Sequence, residues 1–218
     1  MFYKIYSVII WAIVCLIILG IIQNKKYTSN KMKFWYLLSF SFLLLSFIMR
    51  IYMFLGVNLQ YLYLFKHIYY LNYLATFMGI FISMFVLLRS DTLKFDYIKL
   101  MIIFSSIIFM VITCTSPIQI KLNAQLGYIM IIENPIYINL FKGVIGLMII
   151  VSSLYILKNK CNNKMGILLI VFYAFMQLLS IFIKSNIYEL MSIVEMATQL
   201  LGIVIMNYSI LKFKRKKV

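Results

Sequence analysis

"IYSVIIWAIVCLIILGIIQNKKYTSNKMKF", residues 5–34, decides the fold, because an uncharged apolar run, 5–23, gives way at once to a lysine cluster. A hydrocarbon core about 30 Å thick takes roughly 20 apolar residues in helical form, so 5–23 can cross a bilayer once. Lys25, Lys26, Lys31 and Lys33 follow the apolar run instead of preceding it. A cleaved leader has the opposite order, and "AIVC" lacks the small residue a lipoprotein cleavage site needs before its cysteine. The run is therefore expected to stay in the protein as a first helix.

The pattern recurs along the chain. Apolar stretches of spanning length lie at 5–23, 34–55, 62–88, 97–115, 136–157, 165–184 and 187–211. Backbone groups in lipid must bond to one another within a segment, so each is expected to be a helix. The third and seventh exceed the core thickness and are expected to tilt or protrude. The predicted fold class is an all-α polytopic membrane protein, a single seven-transmembrane helix bundle over 1–211 with a basic tail at 212–218. Composition agrees: 65% of residues are hydrophobic, mean hydropathy is +1.01, and 12% are charged. That is outside the range of soluble domains. Two prolines and 18 phenylalanines also exclude a disordered chain.

The net charge is +16. In a soluble protein such an excess would point to nucleic acid. Here the basic residues stand between apolar segments, which makes anionic lipid headgroups their expected partners and nucleic acid an unexpected one. They also alternate by side. One set of loops carries Lys25, Lys26, Lys31 and Lys33, then Arg89, Lys94 and Lys99, then Lys158, Lys160 and Lys164, then the tail "KFKRKKV". The opposite set carries only Lys4, Lys121 and Lys184. By the positive-inside bias the N-terminus is outside and the C-terminus cytoplasmic, in the multi-pass cell membrane of a bacterium.

The loops expected outside are short except for "SPIQIKLNAQLGYIMIIEN", residues 116–134. Ile118, Ile120 and Leu122 alternate with Gln119, Lys121 and Asn123, and Gly127 precedes a second β-prone run. This predicts a short β-hairpin between helices 4 and 5, the alternative being an irregular loop dipping into the headgroups.

Five acidic residues exist in the chain, and Glu195 is inside the seventh apolar stretch, in "SIVEMATQLLG" (192–202). It follows Ile187 by two helical turns and so lies about 12 Å deep. A charge at such depth faces the bundle and has a partner. Lys142, about 9 Å down the fifth stretch, is the best match in depth. Arg50, Lys66 and His67 lie near the same side, with Asn72, Thr76 and Gln199 at similar or greater depth. Two readings follow. In one, Arg50, His67, Asn72, Lys142, Glu195 and Gln199 line an outward-facing pocket for a small ligand carrying a carboxylate or amine. In the other, Glu195 and Lys142 form a structural ion pair while Arg50 and Lys66 snorkel to headgroups. The half expected to face the cytoplasm has few polar groups, chiefly Asn207 and scattered serines.

No enzyme is indicated. Cys15, Cys114 and Cys161 match no metal spacing, and neither a phosphate-cradling loop nor a nucleotide motif is present, so no metal or cofactor is expected. His67 and Cys114 are too far apart, and on the wrong side, for the cysteine peptidases that process bacterial signalling peptides. "KGVIG" places Gly143 and Gly146 for close helix packing.

Three stretches carry a resemblance. "YLFKHIYYLNYLATFMGIFISMFVLLRSD" (63–91) runs from a polar aromatic start through small residues to an apolar end and a charged loop. "VITCTSPIQI" (111–120) puts hydroxyl residues before a proline at a helix end, and "IENPIYINLFKGVIGLMII" (132–150) makes a polar-proline-aromatic step into a helix. Together they resemble the seven-transmembrane sensory region found at the N-terminus of many bacterial histidine kinases and related signalling enzymes. The fifth helix departs from that pattern: Asn134, Pro135, Tyr137 and Asn139 stand where the family has Gly-Pro and a Trp-Leu-His run. The resemblance implies signal transduction by a sensor, with a ligand near the outer face. Since family members continue into kinase or cyclase domains and this sequence ends at Val218, a separate kinase or other membrane partner is expected to be the output. A small transporter or permease subunit is the alternative, for which polarity through the whole membrane depth would argue. A structural membrane protein without a ligand is the third.

Overall fold

A computed structural model describes residues 2–55, 62–88, 95–123, 127–158, 163–182 and 188–214. The loop residues Arg89, Lys94, Lys160 and Lys184, together with Cys161 and the tail from Arg215, lie outside them. The described helices are α1 (Phe2–Tyr27), α2 (Asn30–Phe54), α3 (Lys66–Leu88), α4 (Phe95–Thr115), α5 (Ile136–Lys158), α6 (Lys164–Phe182) and α7 (Tyr188–Lys214). A 3-10 turn, Tyr63–Phe65, leads into α3, and strands β1 (Ile118–Asn123) and β2 (Gly127–Ile132) lie between α4 and α5. All seven helices are long and apolar enough to cross a membrane, so the chain is an all-α multi-pass membrane bundle.

Several helices outrun the apolar stretches from which they were predicted. α1 continues through Lys25 and Lys26 to Tyr27, α2 begins at Asn30, and α7 runs past Lys212 to Lys214. Lysine is a good helix former, and its long stem lets the charge leave hydrocarbon while the backbone stays helical. The turn between α1 and α2 is correspondingly short and closed by polar groups. Asn24 Nδ2 donates to the Lys33 carbonyl at 2.9 Å, and Thr28 Oγ1 donates back to the Asn24 carbonyl.

Helix ends follow local chemistry. Pro117 has no N–H and restricts the residue before it, so α4 stops at Thr115. Lys66 Nζ donates to the Ser116 carbonyl, meeting the partial negative charge at that helix end. α5 starts where Asn134 Oδ1 accepts from Ile136 N–H at 3.3 Å and the Pro135 carbonyl accepts from Asn139 N–H at 2.9 Å. Within helices, hydroxyls bond to their own backbone: Thr76 to Asn72, Thr113 to Phe109, Thr198 to Val194. That makes them tolerable in an apolar setting.

The layout is a ring around one helix. In α3, 89% of the apolar window is buried in protein, against 28% in α1 and in α4. α3 packs against α2, α4, α5, α6 and α7, while α1 bridges α2 and α7. The serines of α2 clip it to α3, Ser39 Oγ donating to Ala75 O at 2.6 Å and Ser46 Oγ to Tyr69 O at 2.9 Å. A Cβ on Gly146 of α5 would lie 3.3 Å from Leu178 of α6, tighter than ordinary contact, so the glycine lets the two helices pack closely. The outer faces carry exposed Trp11, Ile22, Leu100, Phe104, Ile107, Val111, Val144, Val151, Leu168 and Phe172. These are the residues a hydrocarbon solvent accepts.

β1 and β2 pair antiparallel, Ile118 opposite Ile132 and Asn123 opposite Gly127. Gly127 has φ +71°, and a Cβ there would lie 2.9 Å from the Phe54 Cα, so only glycine fits. The two strands thus sit on the end of α2. We call that end of the bundle the sheet end, and the opposite one, where the α1–α2 turn lies, the basic end.

Candidate functional site

At the sheet end α2, α3, α5, α6, α7 and the sheet enclose a cavity of about 460 Å3. That is within the range of small-molecule sites. Its deep wall is charged. Lys142 Nζ of α5 lies 2.6 Å from Glu195 Oε1 of α7, with the Lys142 side chain 3% and the Glu195 side chain 11% exposed. Tyr73 of α3 donates its hydroxyl to Glu195 Oε2 at 2.7 Å. The Lys142 ammonium also stands 4.1 Å from the centre of the Tyr73 ring. Three helices therefore meet at one carboxylate.

Arg50 of α2 lines the same cavity and is 4% exposed. Its guanidinium lies over the Tyr69 ring at 4.8 Å and the Phe47 ring at 5.7 Å, with the Tyr6 phenol beside it. Arg50 Nε is buried without an acceptor among the described residues. Arg50 is thus buried and does not snorkel, its guanidinium held over the Tyr69 ring in the cavity that β2 also lines.

β2 is pinned over the cavity. Tyr70 OH donates to the Met130 carbonyl at 2.9 Å, and Ile129, Met130, Ile131 and Ile132 line the roof. Gln119, Lys121, Glu133 and Pro135 form the rim, and Ile138, Ile181 and Phe182 an apolar flank. Phe182 is 80% exposed, so this flank reaches the surface of the bundle.

Of the residues expected at a pocket, Arg50, Lys142 and Glu195 line the cavity. Asn72 and Gln199 do not line it. Both are buried, and both amides lack partners among the described residues. Gln199 is one turn beyond Glu195 on α7, and Asn72 shares a stripe of α3 with Thr76, which packs at Gly202 of α7. The two amides thus stand on facing stripes just below the charged wall. His67 is exposed in the first turn of α3 and is not part of the lining. Tyr6, Tyr69, Tyr70 and Tyr73 had no place among the expected site residues. Tyr69 and Tyr73 are four apart, which puts them on one helix face, and that spacing was the available signal.

The basic half of the bundle holds a second polar cluster. Tyr36 OH lies 2.6 Å from Ser209 Oγ and 3.2 Å from Ser83 Oγ, and Ser209 Oγ donates to Ser83 Oγ at 3.0 Å. All three residues are buried. Nearby, Asn207 Nδ2 donates to the Leu16 carbonyl of α1 at 3.0 Å. The serines that look scattered in sequence are gathered here by α2, α3 and α7. Between this cluster and the charged wall, Met206 fills the space at Gly79, where a Cβ would lie 2.3 Å from its sulfur.

No family model, curated protein or solved structure matches this chain. Among the described residues no group of three His, Cys, Asp or Glu is placed to hold a metal ion. The functional reading therefore rests on the site.

Proposed function

We propose that this protein is a non-enzymatic membrane sensor: a small ligand enters the sheet-end cavity, biases the packing of α3 against α2 and α7, and a separate partner reads the change at the basic end. The observation that carries this is the convergence of α3, α5 and α7 on Glu195 at the wall of a cavity, since a ligand there touches the helices that continue to the far end. A ligand shifts such packing only by binding two arrangements unequally. The lysine distribution supports an orientation with the cavity and N-terminus outside and the basic end in the bacterial cytoplasm. The sensory-region resemblance supports a kinase as the type of partner.

The test uses Lys212→Cys as a reporter on α7, with Cys15, Cys114 and Cys161 replaced by alanine. Its rate of alkylation is expected to differ severalfold between Glu195 and Glu195→Gln, in membranes. A rate indifferent to residue 195 would remove the sensing role. Gln119→Cys is expected to label from outside intact cells and Lys33→Cys only after permeabilisation; the reverse result inverts the orientation.

One observation favours a second reading, a small transporter. Polar groups occupy both halves of the α3–α7 seam, separated by the Gly79–Met206 contact. Uptake of a solute into vesicles, abolished by Glu195→Gln, would favour it over sensing.

A further inference from the structure

We infer that the cavity receives an oxyanion, a carboxylate or a phosphate, carried on a small apolar body, and that Arg50 is its principal partner. This deepens the sensor reading and rests on it.

The inference begins with charge. The deep wall holds two buried cations, Arg50 and Lys142, and one carboxylate, Glu195. Lys142 and Glu195 satisfy each other at 2.6 Å, and Tyr73 takes the other carboxylate oxygen. Arg50 is left over. Among the described residues it makes no salt bridge: Glu195 acts on it only through space, its neighbours are aromatic faces and the Tyr6 hydroxyl, which shares a hydrogen bond with it, and its Nε has no acceptor. Ring faces attract a guanidinium from above but accept nothing from its in-plane N–H groups, and one phenol cannot answer them all, which leaves Nε open. A carboxylate or phosphate matches that planar fork with two parallel charge-assisted hydrogen bonds. A cationic ligand would instead meet a surplus of positive charge, and a neutral one would leave the surplus in place at membrane depth.

The apolar body follows from the walls. Besides Arg50 the cavity is lined by Ile138, Ile181 and Phe182, and Phe182 is exposed at the surface of the bundle. A chain or ring attached to the oxyanion would lie along this flank. Two sources supply that chemistry, a free amphiphilic acid or the headgroup of an anionic lipid.

The experiment uses the full chain in neutral detergent, its unfolding followed by tryptophan fluorescence. The probes are decanoate, decyl phosphate, inorganic phosphate, decanol and decyltrimethylammonium. Decanoate and decyl phosphate are expected to raise the melting temperature saturably, with half-saturation shifted about tenfold to a hundredfold higher in Arg50→Gln. Should Arg50→Gln not fold, Arg50→Lys keeps the charge, loses the fork, and is expected to weaken the same two probes. Equal effects from decanol or decyltrimethylammonium, or indifference to both Arg50 variants, would overturn the oxyanion while leaving a cavity that binds something else. Inorganic phosphate as effective as decyl phosphate would overturn the apolar body. No response to any probe would overturn the whole inference. Repeating the titration in nanodiscs separates the sources: a decanoate response in phosphatidylcholine that is lost in phosphatidylglycerol marks a bilayer lipid as occupant, and one kept in both marks a free acid. Binding through Arg50 with an unchanged Lys212→Cys alkylation rate would leave this inference standing and remove the sensor.

Discussion

The two halves of the α3–α7 seam solve the same problem in opposite ways. Both bury polar groups at depths where lipid offers no partner. In the basic half, Tyr36, Ser83 and Ser209 are neutral and close a triangle of hydrogen bonds from three helices. In the sheet half, the groups are charged, more numerous than their partners, and face a cavity. A closed neutral cluster fixes register at modest cost. An open charged one is costly to keep unless it serves binding or switching. On the proposed reading the closed cluster is scaffold and the open one is the site.

The comparison can be broken most forcefully at Glu195. Glu195→Leu strands the Lys142 ammonium in a buried setting, and loss of about 3–5 kcal/mol is expected. Adding Lys142→Met should restore most of it, which melting of both variants in detergent would show. No rescue would mean the carboxylate serves something other than Lys142. Next in size is the contact that divides the halves. Gly79→Ala drives a methyl into Met206 and is expected to cost about 1–3 kcal/mol. Partial recovery in Gly79→Ala with Met206→Val, read by the same melts, would place the strain there.

Smaller effects sharpen the contrast. Tyr73→Phe removes a hydrogen bond to a charged group, worth about 1.5–3 kcal/mol where fully expressed. Lys142 still holds the carboxylate, so the lower end is expected by denaturant titration. Ser209→Ala removes a neutral hydroxyl from the closed triangle and is expected to cost about 0.6 kcal/mol, since Tyr36 and Ser83 remain bonded. Its melting point and its decanoate response should both stay close to those of the parent. A Ser209→Ala effect larger than that of Glu195→Leu would reverse the assignment of scaffold and site.

Much of this was legible in the chain itself. Helices 1 to 7 are readable because length and apolarity alone decide spanning segments, and loops cannot lie in lipid. The Glu195–Lys142 pairing is readable from depth, since both residues sit similar distances into segments that run in the same direction through the bundle. The alternation from Ile118 to Asn123 is readable as a strand. What the chain conceals is rotation. Whether Arg50 points at a headgroup or at Tyr69 depends on how α2 turns against α3, and every face of these helices is apolar enough to permit either. The same ambiguity hides His67, which the turn preceding α3 leaves exposed, away from the cavity lining. Ser83 and Ser209 are invisible as a pair because a serine can satisfy itself on its own helix, so its presence announces no partner. Tyrosines read as bulk, and only the fold shows that Tyr73 spends its hydroxyl on Glu195.

The encirclement of α3 has a consequence for biosynthesis. Spans leave the ribosome in order, so when α3 emerges α4 to α7 do not yet exist, and the side that will meet them must wait among acyl chains with Tyr73 and Asn72 on it. α7, made after the other six, packs on α1, and Asn207 ties the two together. Closure is then a late event that waits for α7, and a nascent chain halted before α7 would leave its third span with polar groups facing lipid on one side, a natural handle for membrane quality control.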